Sequence, residues 1–171
     1  MRAIALSGMM AAGKSTVSNT LRDEHGFTVL AFGDLVRAEA SLRRIDRSDR
    51  GALQALGQNL FHELGADGLV DRLLTGTEGD LVIDGVRHLA ILEQLRRRLP
   101  SLVFAFLQAD GAELDRRWQL RGDTAARGDA ASHSVEGELA QLRDRAEIVF
   151  NAGTVSASTI AKMLAIGAVT R

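Results

Sequence analysis

Nine residues near the start, Gly8-Met9-Met10-Ala11-Ala12-Gly13-Lys14-Ser15-Thr16, have the spacing Gly, four residues, Gly-Lys-Ser. This is the pattern of a phosphate-binding loop, or P-loop. Gly8 and Gly13 allow backbone conformations that a side chain forbids. Successive N–H groups, those of Ala11 and Ala12 among them, then wrap phosphate oxygens at the positive end of a helix. Lys14 would set a cation on the β- and γ-phosphates, and the Ser15 hydroxyl, followed by Thr16, would ligate Mg²⁺. Two further places carry matching chemistry. Asp84 ends an apolar run, where a second carboxylate can hold the metal shell; alternatively it only opens the Asp84-Gly85 turn. Arg87, three residues on, would face the same cleft and offer a two-pronged fork to an acceptor phosphate, or else lie exposed at a helix start. Gly33-Asp34-Leu35-Val36-Arg37 repeats the theme. Arg37 could clamp the acceptor phosphate. Asp34 could orient Arg37, hold a metal-shell water, act as base toward a hydroxyl, or simply cap the helix.

These residues need elements to position them. The run 2–7 before the loop has the length and composition of a buried strand, and 16–24 reads as a helix. Residues 27–32, 81–84, 102–107 and 147–151 read as four more strands, the fourth in chain order so apolar that a central place is expected. Helices are expected over 35–45, 52–64, 69–74, 88–99, 111–121, 135–145 and 155–168, with Gly65 to Gly68 interrupting the third and Pro100, the only proline, closing the fifth. Little alternation within strands, and helices between them, imply a parallel sheet covered on both faces. The expected architecture is a three-layer α/β P-loop fold with five parallel strands. Ligands of such sheets bind at the carboxyl ends of the strands, where the residues above stand.

At 171 residues the chain is expected to form one domain. Lys and Arg (21) nearly balance Asp and Glu (22), for a net charge of −1. That balance makes no case for stable binding to nucleic acid or to a membrane surface. Only Lys14 and Lys162 are lysines; most of the arginines are read as composition bias and a named few as phosphate forks. There is no cysteine, hence no disulfide framework and no thiolate metal site. No leader and no membrane-length apolar run is apparent, and a cytoplasmic protein, monomeric or homodimeric, is expected.

The ordered motifs Gly8 to Thr16, Phe32 to Arg37 and Ile83 to Arg87 resemble those of the nucleoside monophosphate kinase group of P-loop kinases. Leu53-Gln54-Ala55-Leu56-Gly57, His133-Ser134-Val135-Glu136 and Asn151-Ala152-Gly153-Thr154 resemble the phage-type deoxynucleoside monophosphate kinases and archaeal adenylate-kinase-like proteins. The resemblance implies ATP as phosphoryl donor, Mg²⁺, and a small nucleotide as acceptor. It gives the acceptor phosphate to Arg37, within an acceptor-binding segment of about 33–75, and to Arg87 beyond it, and lines the acceptor site with Gln54 and Gly57. It makes residues of about 117–132 a lid, with Arg117, Arg121 and Arg127 as its arginines and Gly122 and Gly128 as hinges. Arg143 or Arg145 would add a late contact, and Asn151 to Thr154 would lie near the donor base. His133 and Glu136 contact the acceptor on this reading, or form a serine-capped helix start.

The chain departs from the family in two respects. Without cysteine it cannot carry a long zinc-bearing lid, and Gly85-Val86-Arg87 replaces the Gly-Phe-Pro-Arg common after the third strand. Dephospho-CoA kinase is a more distant likeness, with a hydroxyl acceptor and Asp34 as base. A nucleotide-dependent switch is a third reading. It lacks support because no Asn-Lys-x-Asp motif follows the later strands.

Overall fold

The computed structural model describes residues 1–120 and 133–167, with side chains in the second stretch from Glu138 onward. Five strands form the sheet: β1 (Ala3–Gly8), β2 (Thr28–Ala31), β3 (Leu81–Asp84), β4 (Leu102–Gln108) and β5 (Ile148–Asn151). Their order is β2-β3-β1-β4-β5, and every pairing is parallel. The P-loop strand thus lies in the middle, flanked by β3, which ends in Asp84, and by β4. The residues of β1, β3 and nearly all of β4 are buried. Strands buried on both faces explain the unbroken apolar runs. β4 is an interior strand but not the middle one.

The helices are α1 (Lys14–His25), α2 (Phe32–Leu42), α3 (Arg50–Leu74), α4 (Leu89–Arg98), α5 (Gly111–Leu120), α6 (His133–Asp144) and α7 (Ala157–Gly167). They cover both faces of the sheet. One core cluster joins Ile4, Leu6 and Leu107 to Val17, Leu21, Leu114, Trp118, Ile160 and Leu164. The other joins Ala5, Ile83 and Phe104 to Ala40, Leu60, Val70, Leu92 and Leu142. Three layers result, as the sequence implies.

Two helix boundaries bear comparison with expectation. The helices expected on either side of Gly65 to Gly68 are both present within α3, which kinks at Gly65 (φ 65°, ψ 177°), so the interruption falls where expected and only the restart comes earlier, directly after Gly65. Leu69, Val70 and Leu73 give the segment beyond the kink its own buried face, and Gly68 is accommodated inside it. Helix α2 begins at Phe32, directly after the extended Ala31, with Gly33 and Asp34 inside its first turn. It ends at Leu42, three residues before the expected Ile45. Arg44 adopts φ 58°, its N–H donates to the Ser41 carbonyl, and that of Ile45 donates to Ala40. This is a Schellman closure formed without glycine, held by Ile45 against the core.

Candidate active site at the carboxyl edge of the sheet

The loop between β1 and α1 has the geometry that its glycines suggest. Gly8 lies at φ 138° and Gly13 at φ 90°. A Cβ at Gly8 would overlap the carbonyl of Leu107 on the neighbouring strand, so only glycine fits there. Ala11 also takes a positive φ, 64°. Lys14 Nζ donates to the carbonyls of Gly8 and Met9, both at 2.9 Å, and is thereby stretched back over the loop. Ser15 and Thr16 are exposed in the first turn of α1, on the side from which a phosphate chain would enter.

The turn after β3 is fastened to the same strand. The N–H groups of Gly85 and Val86 both donate to the Leu6 carbonyl at 3.1 Å. The fully buried Ser7 hydroxyl donates to the Val86 carbonyl at 2.6 Å. Asp84 and Arg87 are therefore set beside the P-loop by main-chain bonds, and Ser7, one residue before the motif, is a positioning residue that motif spacing does not reveal. Asp84 is 7% exposed and its carboxylate has no hydrogen-bond partner among the described residues. Arg87 is half-buried and likewise has none. Burial lowers its guanidinium below the ordinary arginine value, while the charge of Asp84 acts in the opposite direction.

Asp34 and Arg37 do come together, at 2.6 Å, one turn apart on α2. They form an exposed ion pair, and Arg37 already has a carboxylate in its fork. The adjoining helix carries Gln54 and Gly57, both half-buried. A Cβ on Gly57 would stand 3.5 Å from Val36 Cγ2, an ordinary contact, so this position faces α2 and has room for a methyl group. Arg43 binds Glu39 and Glu63, and Arg72 binds Glu39, which locks the two helices into one arm.

On the far side of the P-loop, Arg117 donates from Nε to Glu113 at 2.6 Å and from Nη2 to the Ala152 carbonyl at 2.6 Å. Its Nη1 lies 3.5 Å from where a Cβ on Gly13 would be. The guanidinium is thus fixed over the loop. Arg116 first, and then Arg117, hold the Glu113 carboxyl down to about 2. A cavity of about 390 Å³ opens here between Thr16, Val17, Arg117 and the turn Ala152 to Ala157. Asn151 itself is not in its wall. Its Oδ1 accepts the Gly153 N–H at 3.0 Å, so it shapes the turn whose next residues line the cavity. Arg143 reaches the end of β4 through Gln108 Oε1 at 2.9 Å, whereas Arg145 turns to Glu93. Arg121 and Arg127, the side chains of His133 and Glu136, and the glycines Gly122 and Gly128 lie outside the described residues.

A cluster that the sequence reading passed over adjoins Arg87. His88 stacks on Phe61 of α3, with ring centroids 4.3 Å apart and planes at 26°. Its Nδ1 lies 3.1 Å from Glu138 Oε1 of α6, and Glu138 Oε2 accepts the Leu89 N–H at 2.9 Å. No local signal marks it, because the partners are 27 and 50 residues from His88.

No described helix is long and apolar enough to cross a membrane. Among known proteins, the chain is 38% identical over 98 residues to a UPF0200 protein of Methanothrix thermoacetophila, covering 56% of this chain and 53% of that one. It is 32% identical over 103 residues to a UPF0200/UPF0201 protein of Archaeoglobus fulgidus, covering 57% and 31%. The matches thus span about half or less of those relatives' length. In structure it resembles a tunicamycin resistance protein of Deinococcus radiodurans, with TM-score 0.66, 19% identity, and 97% and 94% of the chains covered. A shikimate kinase of Bacteroides thetaiotaomicron gives 0.59 at 15%, covering 97% and 95%. A gluconokinase of Sinorhizobium meliloti gives 0.57 at 17%, covering 98% and 91%. At these identities the likeness speaks for the fold, which is that of the P-loop kinases. The profile of the AAA domain matches residues 4–141, most of the chain, and the protein belongs to that family, AAA_18, as a P-loop domain of kinase-like fold.

Proposed function

We propose that the protein is an ATP- and Mg²⁺-dependent kinase that transfers a phosphoryl group to a nucleoside or deoxynucleoside monophosphate. One observation carries this reading: beside the P-loop, the half-buried Arg87 and the buried Asp84 stand together without hydrogen-bond partners among the described residues. A half-buried guanidinium has lost part of its hydration and keeps donors to offer a ligand. An anionic acceptor phosphate would supply the missing fork partner, and a divalent cation would supply one for Asp84.

The donor set suits that cation. Ser15 and Asp84 offer hard oxygen ligands, and no group of three or more metal-ligating side chains exists among the described residues. Mg²⁺ favours such a site, held by one or two protein oxygens with the rest from water and phosphate. When bound, it would neutralise charge on the phosphates during transfer.

The chain's own residues do the remaining work. The P-loop amides and Lys14 hold the donor phosphates. Arg117, fixed by Glu113 and the Ala152 carbonyl, sits where it can order the donor beside the cavity. Arg87 orients the acceptor phosphate, with Arg37 assisting from α2 after exchanging Asp34 for it. No protein base is required, because the acceptor phosphate is already ionised. Catalysis then rests on positioning and charge neutralisation. A hydroxyl acceptor with Asp34 as base fits less well, since that carboxylate is exposed and paired with Arg37.

The test is a coupled ADP-release assay with Mg·ATP against every ribo- and deoxyribonucleoside monophosphate, with dephospho-CoA included. Transfer to a monophosphate is the expected result. Turnover with dephospho-CoA alone, or ATP binding with no transfer, would refute the proposal.

A further inference from the structure

Phe61, His88 and Glu138 form a polar–aromatic cluster next to Arg87. Three elements meet in it: the acceptor arm through α3, the start of α4 immediately after Arg87, and α6. Phe61 stands at i+7 from Gln54 and i+4 from Gly57, so the three share a face of α3. The resemblance assigns Gln54 and Gly57 to the acceptor, and Gly57 also faces Val36 of α2. His88 therefore adjoins two parts of the proposed acceptor site, following Arg87 in sequence and stacking on Phe61 of α3 in space.

Its protonation pattern follows from its partners. A carboxylate can only accept, and Glu138 already receives the Leu89 N–H through Oε2. Its Oε1, 3.1 Å from Nδ1, must therefore take a proton from the ring. In the neutral imidazole this leaves Nε2 as an acceptor of hydrogen bonds. Nε2 has no partner among the described residues, and the side chain is 27% exposed, so the described residues leave it accessible to a ligand. The stacked Phe61 ring fixes the plane in which Nε2 presents its lone pair.

We propose that His88 contacts the acceptor through Nε2 and selects an acceptor base carrying an exocyclic amino group, with Glu138 as the positioning residue that sets the tautomer. This inference rests on the monophosphate kinase reading. It concerns the base, whereas Arg87 concerns the phosphate.

The experiment compares kcat/KM within matched acceptor pairs, AMP against IMP and CMP against UMP, at pH about 8.5, above the ordinary histidine range. Within the pair that the enzyme uses, the wild type should favour the amino member by about tenfold or more, one hydrogen bond's worth of discrimination. His88→Phe keeps a flat ring against Phe61 and removes Nε2; it should bring the ratio to within roughly twofold while leaving the KM for ATP unchanged. Glu138→Gln is the sharper test. Its amide oxygen takes the Leu89 N–H, so its NH₂ must donate to Nδ1, and the ring proton moves to Nε2. Selectivity should then invert toward the carbonyl member, an outcome that a purely structural role cannot produce. A wild type that prefers the carbonyl members, an unaltered ratio in His88→Phe, or an equal loss for both members in Glu138→Gln would overturn the inference alone. Absence of transfer to any monophosphate by the wild type would overturn the kinase reading and this inference with it.

Discussion

Arg87 and Lys14 occupy different situations at the same sheet edge, and their variants should differ accordingly. Lys14 Nζ is held by two loop carbonyls at 2.9 Å, poised to exchange them for phosphate oxygens. Lys14→Ala should lower kcat by about 10²–10³-fold, the scale for losing one preorganised charge-stabilising donor. Arg87→Ala should chiefly raise the acceptor KM by roughly 10–100-fold, the worth of a charged hydrogen-bond pair, with the KM for ATP little changed. Arg37→Ala should act in the same direction but less, because its exposed ion pair with Asp34 must first open. Steady-state kinetics with each substrate varied in turn would check all three. Unchanged acceptor kinetics in both arginine variants would remove them from the acceptor site.

Among elements, the decisive join is between β1 and the turn after β3. Ser7 provides a buried hydrogen bond to the Val86 carbonyl, and the Leu6 carbonyl receives two N–H groups from that turn. Ser7→Ala would leave a buried carbonyl without its side-chain donor. A loss of about 1–3 kcal/mol is expected, read as a fall of several degrees in Tm, together with a raised acceptor KM as Arg87 loses its seat. Wild-type values for both would show that the turn is held by its main-chain bonds alone. Gly8→Ala tests the opposite neighbour, β4. Its Cβ would collide with the Leu107 carbonyl, a main-chain atom that cannot step aside without breaking the sheet, so the variant should fail to accumulate as folded protein.

At the scale of the whole molecule, charge ties the two sides of the P-loop to pH. Glu113, held down to about 2 by Arg116 and Arg117, anchors the arginine that bridges α5 to the Ala152 carbonyl. A carboxyl lowered in the folded state contributes stability that is fully present above its ordinary value near 4.5. That contribution is lost as pH falls through about 2. Glu113→Gln should therefore melt below the wild type at neutral pH, with the gap in Tm closing as pH is lowered from 4.5 toward 2. A gap independent of pH would mean that Glu113 acts by packing instead. The two core clusters on opposite faces of the sheet carry most of the stability in either case, because the ion pairs are largely exposed.

The sequence by itself determined what is local. Gly-x-x-x-x-Gly-Lys-Ser dictates its own loop because glycine backbones and a helix start suffice to form an anion cradle. Unbroken apolar runs separated by amphipathic stretches dictate parallel strands between helices, since only that arrangement buries both faces. Asp84 and Arg87 were legible as a strand-end pair for the same reason. Tertiary structure decided what depends on contacts across the chain. It resumed the helix directly after the Gly65 kink and carried it past Gly68, where Leu69, Val70 and Leu73 are buried. It turned Asn151 back onto its own loop and gave the cavity wall to the residues after it. It seated Arg117 on the Ala152 carbonyl, 35 residues away, and joined His88 to Glu138 across 50. A tautomer set by a carboxylate on another helix has no periodicity and no spacing, so only packing could reveal it.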